Sequence, residues 1–456
     1  MTDFARDLDY LAGLPSDERV RALERIIPLT AVQHVLAQTG HASRRCTRLP
    51  HWFMVWFVIG LNLFSKDSYA CVFKHLQRFR PGGTPGSNTV TQARKALGLL
   101  PLRLLAGNVV RLLGTPQTPG AFYKGLRLMA IDGFVLDLAD TPANAHAFGR
   151  PGTGRAPGAF PQARVLALCE TGSHVLYRWL VKPLCRGEAR MTPYLLRFLQ
   201  EDMLLLWDRN FLSYKALQQV RAQKAQLLAR VKSNWIFTPI EVLKDGSYLA
   251  KMYPSRRHRD RDEGGVVVRL IEYTLEDPGR PATEKVHRLL TTLLDAGEHP
   301  AEELIVLYHQ RWEEELAIDE LKTHQKERPV LRSQTPLAVV QEIEGLMLAH
   351  YVVRALMAEA AAEQGLDPRG LSFTGTLKVL RCRLPEVPKD PQDEAGQQRW
   401  WADLLGEVGE QVLPPRRNRI NPRVIKRKMS KWPKKRPHHR RPPQPTMTFR
   451  DSILIC

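Results

Sequence analysis

Tyr308, Arg311, Glu315 and Lys322 recur at short, regular intervals within the segment YHQRWEEELAIDELK. Their offsets of 3, 7 and 14 residues, at about 100° per residue, would hold all four in a helical stripe roughly 60° wide. An aromatic hydroxyl, a guanidinium, a carboxylate and an ammonium would then share one face. A structural helix carries Leu, Ile or Val along its buried stripe. This stripe instead offers an oxygen ligand for a hard metal flanked by two phosphate-binding cations, which suits chemistry on nucleic acid.

Two further acids stand out by context. Asp132 closes the apolar run LRLMAI and precedes Gly133, which is expected to let the backbone turn and leave the carboxylate at a strand end. Asp208 closes the apolar run MLLLW. Three carboxylates brought together repel unless divalent cations neutralise them. Oxygen ligands with no Cys/His cluster favour Mg²⁺, with Mn²⁺ as the substitute. Two such ions about 4 Å apart activate an attacking oxygen and stabilise the leaving oxygen of a phosphodiester. Each acid also has a bland reading. Asp-Gly pairs commonly form turns, Asp208 is placed to cap a following helix, and Glu315 is placed to pair with neighbouring cations. Asp137 and Asp140 stay open as alternatives to Asp132.

The elements that must position these residues follow from patterning. Residues 1–120 read as helical: Ser16 and Glu18 are placed to cap a helix bearing Val20, Leu23, Ile26 and Ile27, and Trp52–Phe64 forms an apolar run. At 13 residues that run is too short to span a bilayer and reads as a buried helix. After the breaker PGGTPGSN, a short helix is expected to expose Arg94 and Lys95, compatible with a DNA-groove element. From about residue 126, LRLMAID and FVLDLAD read as two strands joined at Gly133. ARVLALCE and VLYRWLVKP read as two more, then a helix near 191–200 and the strand MLLLWD. That order points to an α/β, ribonuclease H-like core. Short alternating runs over about 213–304 read as an inserted β subdomain, and 337–385 as further helices. The expected division is a helical N-terminal domain (1–120), a catalytic domain (121–385) and a polar linker with a basic tail (386–456).

Bulk composition agrees. With 456 residues and 43% apolar content, the chain can build ordinary cores. Of its net charge of +20, thirteen positive charges and no acid lie between Arg416 and Arg441, leaving +7 elsewhere. Such a tail suits a polyanionic partner. The six cysteines form no Cys-x2-Cys pair, which argues against a zinc ribbon and a secreted disulfide scaffold. MTDFARDLDY is charged from the start and does not read as a signal peptide, so an intracellular protein is expected.

Taken together, AIDGFVLDLADTPANAHAFG around the first acid, DRNF at the second, and the Tyr-Arg-Glu-Lys spacing around Glu315 resemble the insertion sequence 4 family of DDE transposases. RALERIIPLTAVQHVLAQTG and RVIKRKMSKWPKKR resemble the family's two ends, so the likeness covers nearly the whole chain. Phe134 departs from the pattern, in which Thr more often follows Asp-Gly. The resemblance implies that Asp132, Asp208 and Glu315 hold two Mg²⁺ ions. It implies excision of the element, often through a hairpin at each end, and joining of its 3′-OH ends to target DNA. Tyr308, Arg311 and Lys322 would grip phosphates near the cut. Trp235, or else Trp312, would stack on a flipped base, and Lys426, Arg427 and Lys428 would add affinity for the phosphate backbone. The implied partners are double-stranded DNA, as terminal inverted repeats and target, and a second copy of the chain when two ends are synapsed. No membrane is involved, and the setting is a prokaryotic, nucleoid-associated cytoplasm. A two-metal nuclease without strand transfer, and a transposase-derived DNA-binding protein that has lost catalysis, are the rival functions.

Overall fold

The computed structural model describes residues 22–42, 49–76, 84–152, 158–275, 286–388, 390, 393–414, 446–448 and 450–455. It is a mixed α/β chain in two compact units. The first comprises Met1–Leu195 and Glu313–Leu413, the second Leu196–Trp312 and Pro414–Cys456.

The first unit opens with five helices: α1 (Leu29–Gln38), α2 (His51–Leu63), α3 (Tyr69–Leu76), α4 (Ser87–Leu97) and α5 (Leu100–Val109). The apolar run is α2, and every residue from Phe53 to Leu63 is buried. Residues 16–21, including the expected Ser16–Glu18 cap, lie outside the described residues; Leu23 and Ile27 are buried in a turn ahead of α1. Next come β1 (Phe122–Tyr123), β2 (Leu126–Leu138), α6 (Pro142–Phe148), β3 (Gln162–Glu170), β4 (Val175–Pro183) and α7 (Glu188–Leu196). Strands β2, β3 and β4 form an antiparallel meander. The two runs expected to meet at Gly133 are one strand of 13 residues, with Asp132 opposite Ala167 and Gly133 opposite Leu166. No turn forms at Gly133, and the atoms nearest the place of a Cβ there belong to the Glu188 side chain, its carboxyl carbon at 2.5 Å.

The second unit begins with β5 (Met203–Trp207), buried along its whole length, then α8 (Tyr214–Ala222) and β6 (Gln226–Arg230), which runs parallel to β5. An antiparallel meander follows, made of β7 (Pro239–Val242), β8 (Tyr248–Met252), β9 (Val266–Leu275) and β10 (His287–Thr291), with the short α9 (Arg256–Asp260) between β8 and β9. β10 also pairs with β6, joining meander to β-α-β element. The fully buried Arg269 holds this meander together, bonded to Ser247 Oγ at 2.7 Å, to the carbonyl of His299 at 2.7 Å and to Asp245. Helix α10 (Ala301–His309) completes this stretch.

The chain then returns to the first unit, the boundary falling after Trp312. It forms α11 (Trp312–Asp319), a π-helical stretch (Glu320–Gln325), β11 (Val330–Leu331) parallel to β2, α12 (Pro336–Gln364), α13 (Phe373–Arg383) and α14 (Glu394–Gly409). β12 (Ile453–Ile455) pairs with β9. No helix among the described residues is long and apolar enough to cross a membrane.

Three expectations are corrected here. The single helical stripe is not formed, because α10 stops at His309 and the pitch widens to π at Glu320. The buried set of α10 includes Leu304 and Ile305, and that of α11 includes Glu313, Glu314, Ala317 and Ile318. In one continuous helix those two sets would lie about half a turn apart. Arg94 is buried rather than exposed; its guanidinium donates to Tyr69 Oη (2.9 Å), Ser333 Oγ (3.2 Å) and the Ala338 carbonyl (2.9 Å). The region 386–456, expected to be a polar linker and basic tail, contains α14, whose Trp400, Trp401, Leu404, Leu405 and Val408 recur at helical spacing and enter the core.

Candidate active site

In the first unit, strand alternation decides which acids share a face. Asp132 projects to the same side of β2 as Phe134, Leu136 and Leu138, whereas Asp137 projects to the other. Phe134, Leu136 and Leu138 belong to a core cluster that includes Ala317, Ile318 and Leu321 of the Glu315 segment. Glu315 lies three residues before Ile318 on α11, so its side chain leaves the helix near the contact with that sheet face. Asp132 and Glu315 are thus carried by two elements that contribute to one apolar cluster, and both stay partly exposed. Asp132 Oδ1 accepts from the Gly133 amide at 2.7 Å. Asp137 is bonded by Gln162 Nε2 at 2.8 Å, and Asp140, beyond the strand, is ion-paired with Arg150. Lys322 sits in the π-helical stretch, partly exposed.

In the second unit, Asp208 follows β5 directly. Its Oδ1 accepts from the Arg209 amide (2.7 Å) and its Oδ2 from Asn210 Nδ2 (3.1 Å). It does not cap the next helix, since Ser213 does so through the Ala216 amide. Tyr308 lies beside it and donates to the carbonyl of Trp207 at 3.2 Å. Burial pushes the Tyr308 hydroxyl up to about 12, with Asp208 adding to the rise and Arg311 opposing it. The hydroxyl is therefore a donor at neutral pH. The Arg311 guanidinium lies 5.4 Å from the ring of Trp312, which is 52% exposed. Trp235 is not a core residue either. It lines an open cleft of about 600 Å³ with Tyr214, Phe237, Lys251, Tyr253 and Arg259. The cleft's basic wall comes from RRHRDR (256–261), an exposed run absent from the candidates drawn from spacing and patterning. Its signal was visible: arginines next to Tyr253 and Pro254.

Lys426, Arg427 and Lys428 lie outside the described residues. Among the described residues no group of three or more His, Cys, Asp or Glu side chains is drawn together as a metal site. The chemistry of the candidate donors, all carboxylate oxygens with no thiol or imidazole among them, fits a hard divalent cation.

The family model for the insertion element 4 transposase N-terminal region matches residues 17–106, and that for the transposase DDE domain matches residues 123–352, just over half of the chain. The chain belongs to the insertion sequence 4 family of DDE transposases. The transposase is 30% identical to transposase InsG for insertion sequence element IS4 of Escherichia coli (strain K12) over 423 residues, or 88% of this chain and 91% of InsG. It is 28% identical to the putative transposase InsZ of the same strain over 193 residues, or 41% of this chain and 62% of InsZ. A solved piggyBac transposase synaptic complex with hairpin DNA aligns over 86% of this chain and 85% of its own, with 11% identity and a TM-score of 0.41. The protein is a DNA transposase, and the DDE domain it carries generally uses a divalent metal.

Proposed function

We propose that this transposase moves its element by cut-and-paste transposition, cleaving at the transposon ends and joining them to target DNA on a ribonuclease H-like core spanning 121–385. Asp132, Asp208 and Glu315 would hold two Mg²⁺ ions, with Mn²⁺ able to replace them. When bound, such ions supply activation of the attacking oxygen and charge neutralisation at the leaving one. The observation that carries this reading is that the apolar residues beside Asp132 on β2 and beside Glu315 on α11 belong to one core cluster.

The chain's own residues supply the rest. Tyr308 remains protonated at working pH and donates a hydrogen bond, while Arg311 presents a planar fork suited to two phosphate oxygens. Lys322 adds a point charge. Trp235, at the mouth of an aromatic and basic cleft, offers a stacking surface for a base displaced from the duplex. The tail with Lys426, Arg427 and Lys428 contributes sequence-independent affinity. The substrate is double-stranded DNA carrying terminal inverted repeats, held by two copies of the chain at synapsis in a prokaryotic, nucleoid-associated cytoplasm. The region 1–120 serves as the DNA-binding domain, and the β subdomain over about 213–304 as an insertion in the catalytic domain.

The test is a transposition assay in which the gene's own flanking DNA brackets a marker and the protein is supplied in trans. Wild type should mobilise the marker, and Asp132→Asn, Asp208→Asn and Glu315→Gln should each abolish it. Mobilisation that survives one of these changes removes that residue from the site.

A further inference from the structure

The buried side of the Glu315 segment is unusually polar. The side chains of Glu313 and Glu320, seven residues apart, are 11% and 13% exposed, and a single ring lies between them. His174 Nε2 is 2.9 Å from Glu313 Oε2, and its Nδ1 is 3.0 Å from Glu320 Oε1. Arg354 of α12 backs this arrangement. Its Nε donates to Glu320 Oε2 at 2.8 Å, a second nitrogen donates to Glu320 Oε1, and that nitrogen lies 2.6 Å from His174 Nδ1. His350, also on α12, stands 3.4 Å from Glu320 Oε2.

Burying these charges is a poor way to gain stability, because desolvation offsets most of the attraction. Apolar side chains would hold α11 at least as firmly. What a bridged, bidentate cluster adds is a fixed rotation and register, since sliding by one residue would strand a buried charge. Two details fit that purpose. His174 sits in the β3–β4 turn at φ +58°, a conformation that costs a non-glycine residue energy and persists where the surroundings impose it. The cluster also grips the helix where α pitch gives way to π pitch at Glu320, a feature frequent at functional sites.

We propose that His174, backed by Arg354 and His350, is a positioning residue that sets the register of the Glu313–Glu320 segment and so aims Glu315 at the metal site. The proposal rests on Glu315 being a metal ligand.

The test uses the full chain carrying His174→Asn, which tolerates the left-handed backbone but cannot bridge two carboxylates, and His174→Gly, which removes the ring and all backbone strain. Hydrogen–deuterium exchange should quicken at least tenfold across 312–325 while α2 stays protected. The Mn²⁺ concentration giving half-maximal cleavage of the element's ends should rise about tenfold, the scale for residues that orient a metal ligand. Binding of the ends in EDTA should change less than twofold. Unchanged exchange across 312–325, or an unchanged Mn²⁺ requirement with a merely lowered thermal midpoint, overturns the proposal. Glu315→Gln separates the two readings: if it still cleaves, the ligand assignment fails, and if it is inactive while the His174 variants behave as wild type, only the positioning role fails.

Discussion

Replacing Gly345 by alanine sets two effects of opposite sign against each other. Gly345 lies within α12 where that helix crosses α2, and a Cβ there would stand 2.4 Å from the Val58 carbonyl oxygen and 2.7 Å from Val58 Cγ1. Alanine improves helix propensity over glycine by about 1 kcal/mol. Against that, the obstacle is backbone in a buried helix and cannot rotate aside. Relieving the clash needs the helices to part by roughly 1 Å, which forfeits up to about half of each contact's dispersion energy along the seam, and overpacking of this kind costs about 1–3 kcal/mol. Taking the middle of that range, the clash should win by about 1 kcal/mol, which corresponds to a fall of roughly 2–4 °C in thermal midpoint. Gly406 is the control, because it lies in α14 with nothing within 4 Å of the place an alanine methyl would take. Gly406→Ala should raise the midpoint by about 2–4 °C through propensity alone. Both variants can be followed by differential scanning fluorimetry and by urea unfolding. Adding Val58→Ala to Gly345→Ala should restore only part of the loss, since the carbonyl remains. A Gly345→Ala protein as stable as wild type or more so would refute the close-crossing argument. The same variant should also slow DNA cleavage, because α12 carries the His350 and Arg354 side chains that grip Glu320.

Three further outcomes follow from the same structure. Trp235→Ala should weaken binding to hairpin or unpaired ends by about 1–3 kcal/mol while leaving duplex binding unchanged; equal losses on both in a gel-shift titration would count against a stacking role. Neutralising Lys426, Arg427 and Lys428 together should reduce the slope of log K against log salt by about 3, measured on random-sequence duplex, and an unchanged slope would remove the tail from the interface. Acid should destabilise the first unit through two groups of the same sign. Burial alone would raise Glu320, but Arg354 and His174 outweigh it and hold its carboxyl well below the ordinary 4.5; burial holds His350 below its ordinary 6.5 against the pull of Glu320. Both groups bind more protons when unfolded, so the stability they contribute is present above those ordinary values and is lost as pH falls through the folded ones. Glu320→Gln should lower the midpoint at pH 7 by leaving Arg354 buried and unpaired, and its gap to wild type should narrow below about pH 4.5. A gap that stays constant to pH 3.5 would refute the linkage.

What the sequence displayed and what it concealed divide by the range of the interactions involved. Short apolar runs ending in acids were visible because strand patterning is local: MLLLW became β5, and the α2 run was buried where its composition demanded. The phase of the Tyr308–Lys322 segment was hidden, because two consecutive helices with different buried faces look like one when only the polar residues are followed. Counting Leu304 and Ile305 against Ala317 and Ile318 would have shown the mismatch. Arg94 was misjudged because a cation on a short amphipathic helix is ordinarily solvated, and its partners Ser333 and Ala338 lie more than 200 positions away in sequence. Glu313 and Glu320 were overlooked for the same reason: their partners sit in the β3–β4 turn and on α12, and no spacing rule links them. A local rule sees two acids on a helix and assigns them to solvent. Their burial follows only once Ala317 and Ile318 have entered the apolar cluster that β2 also joins, which fixes the side of α11 that faces inward. Glu315, which lies between those two acids in sequence, stays partly exposed.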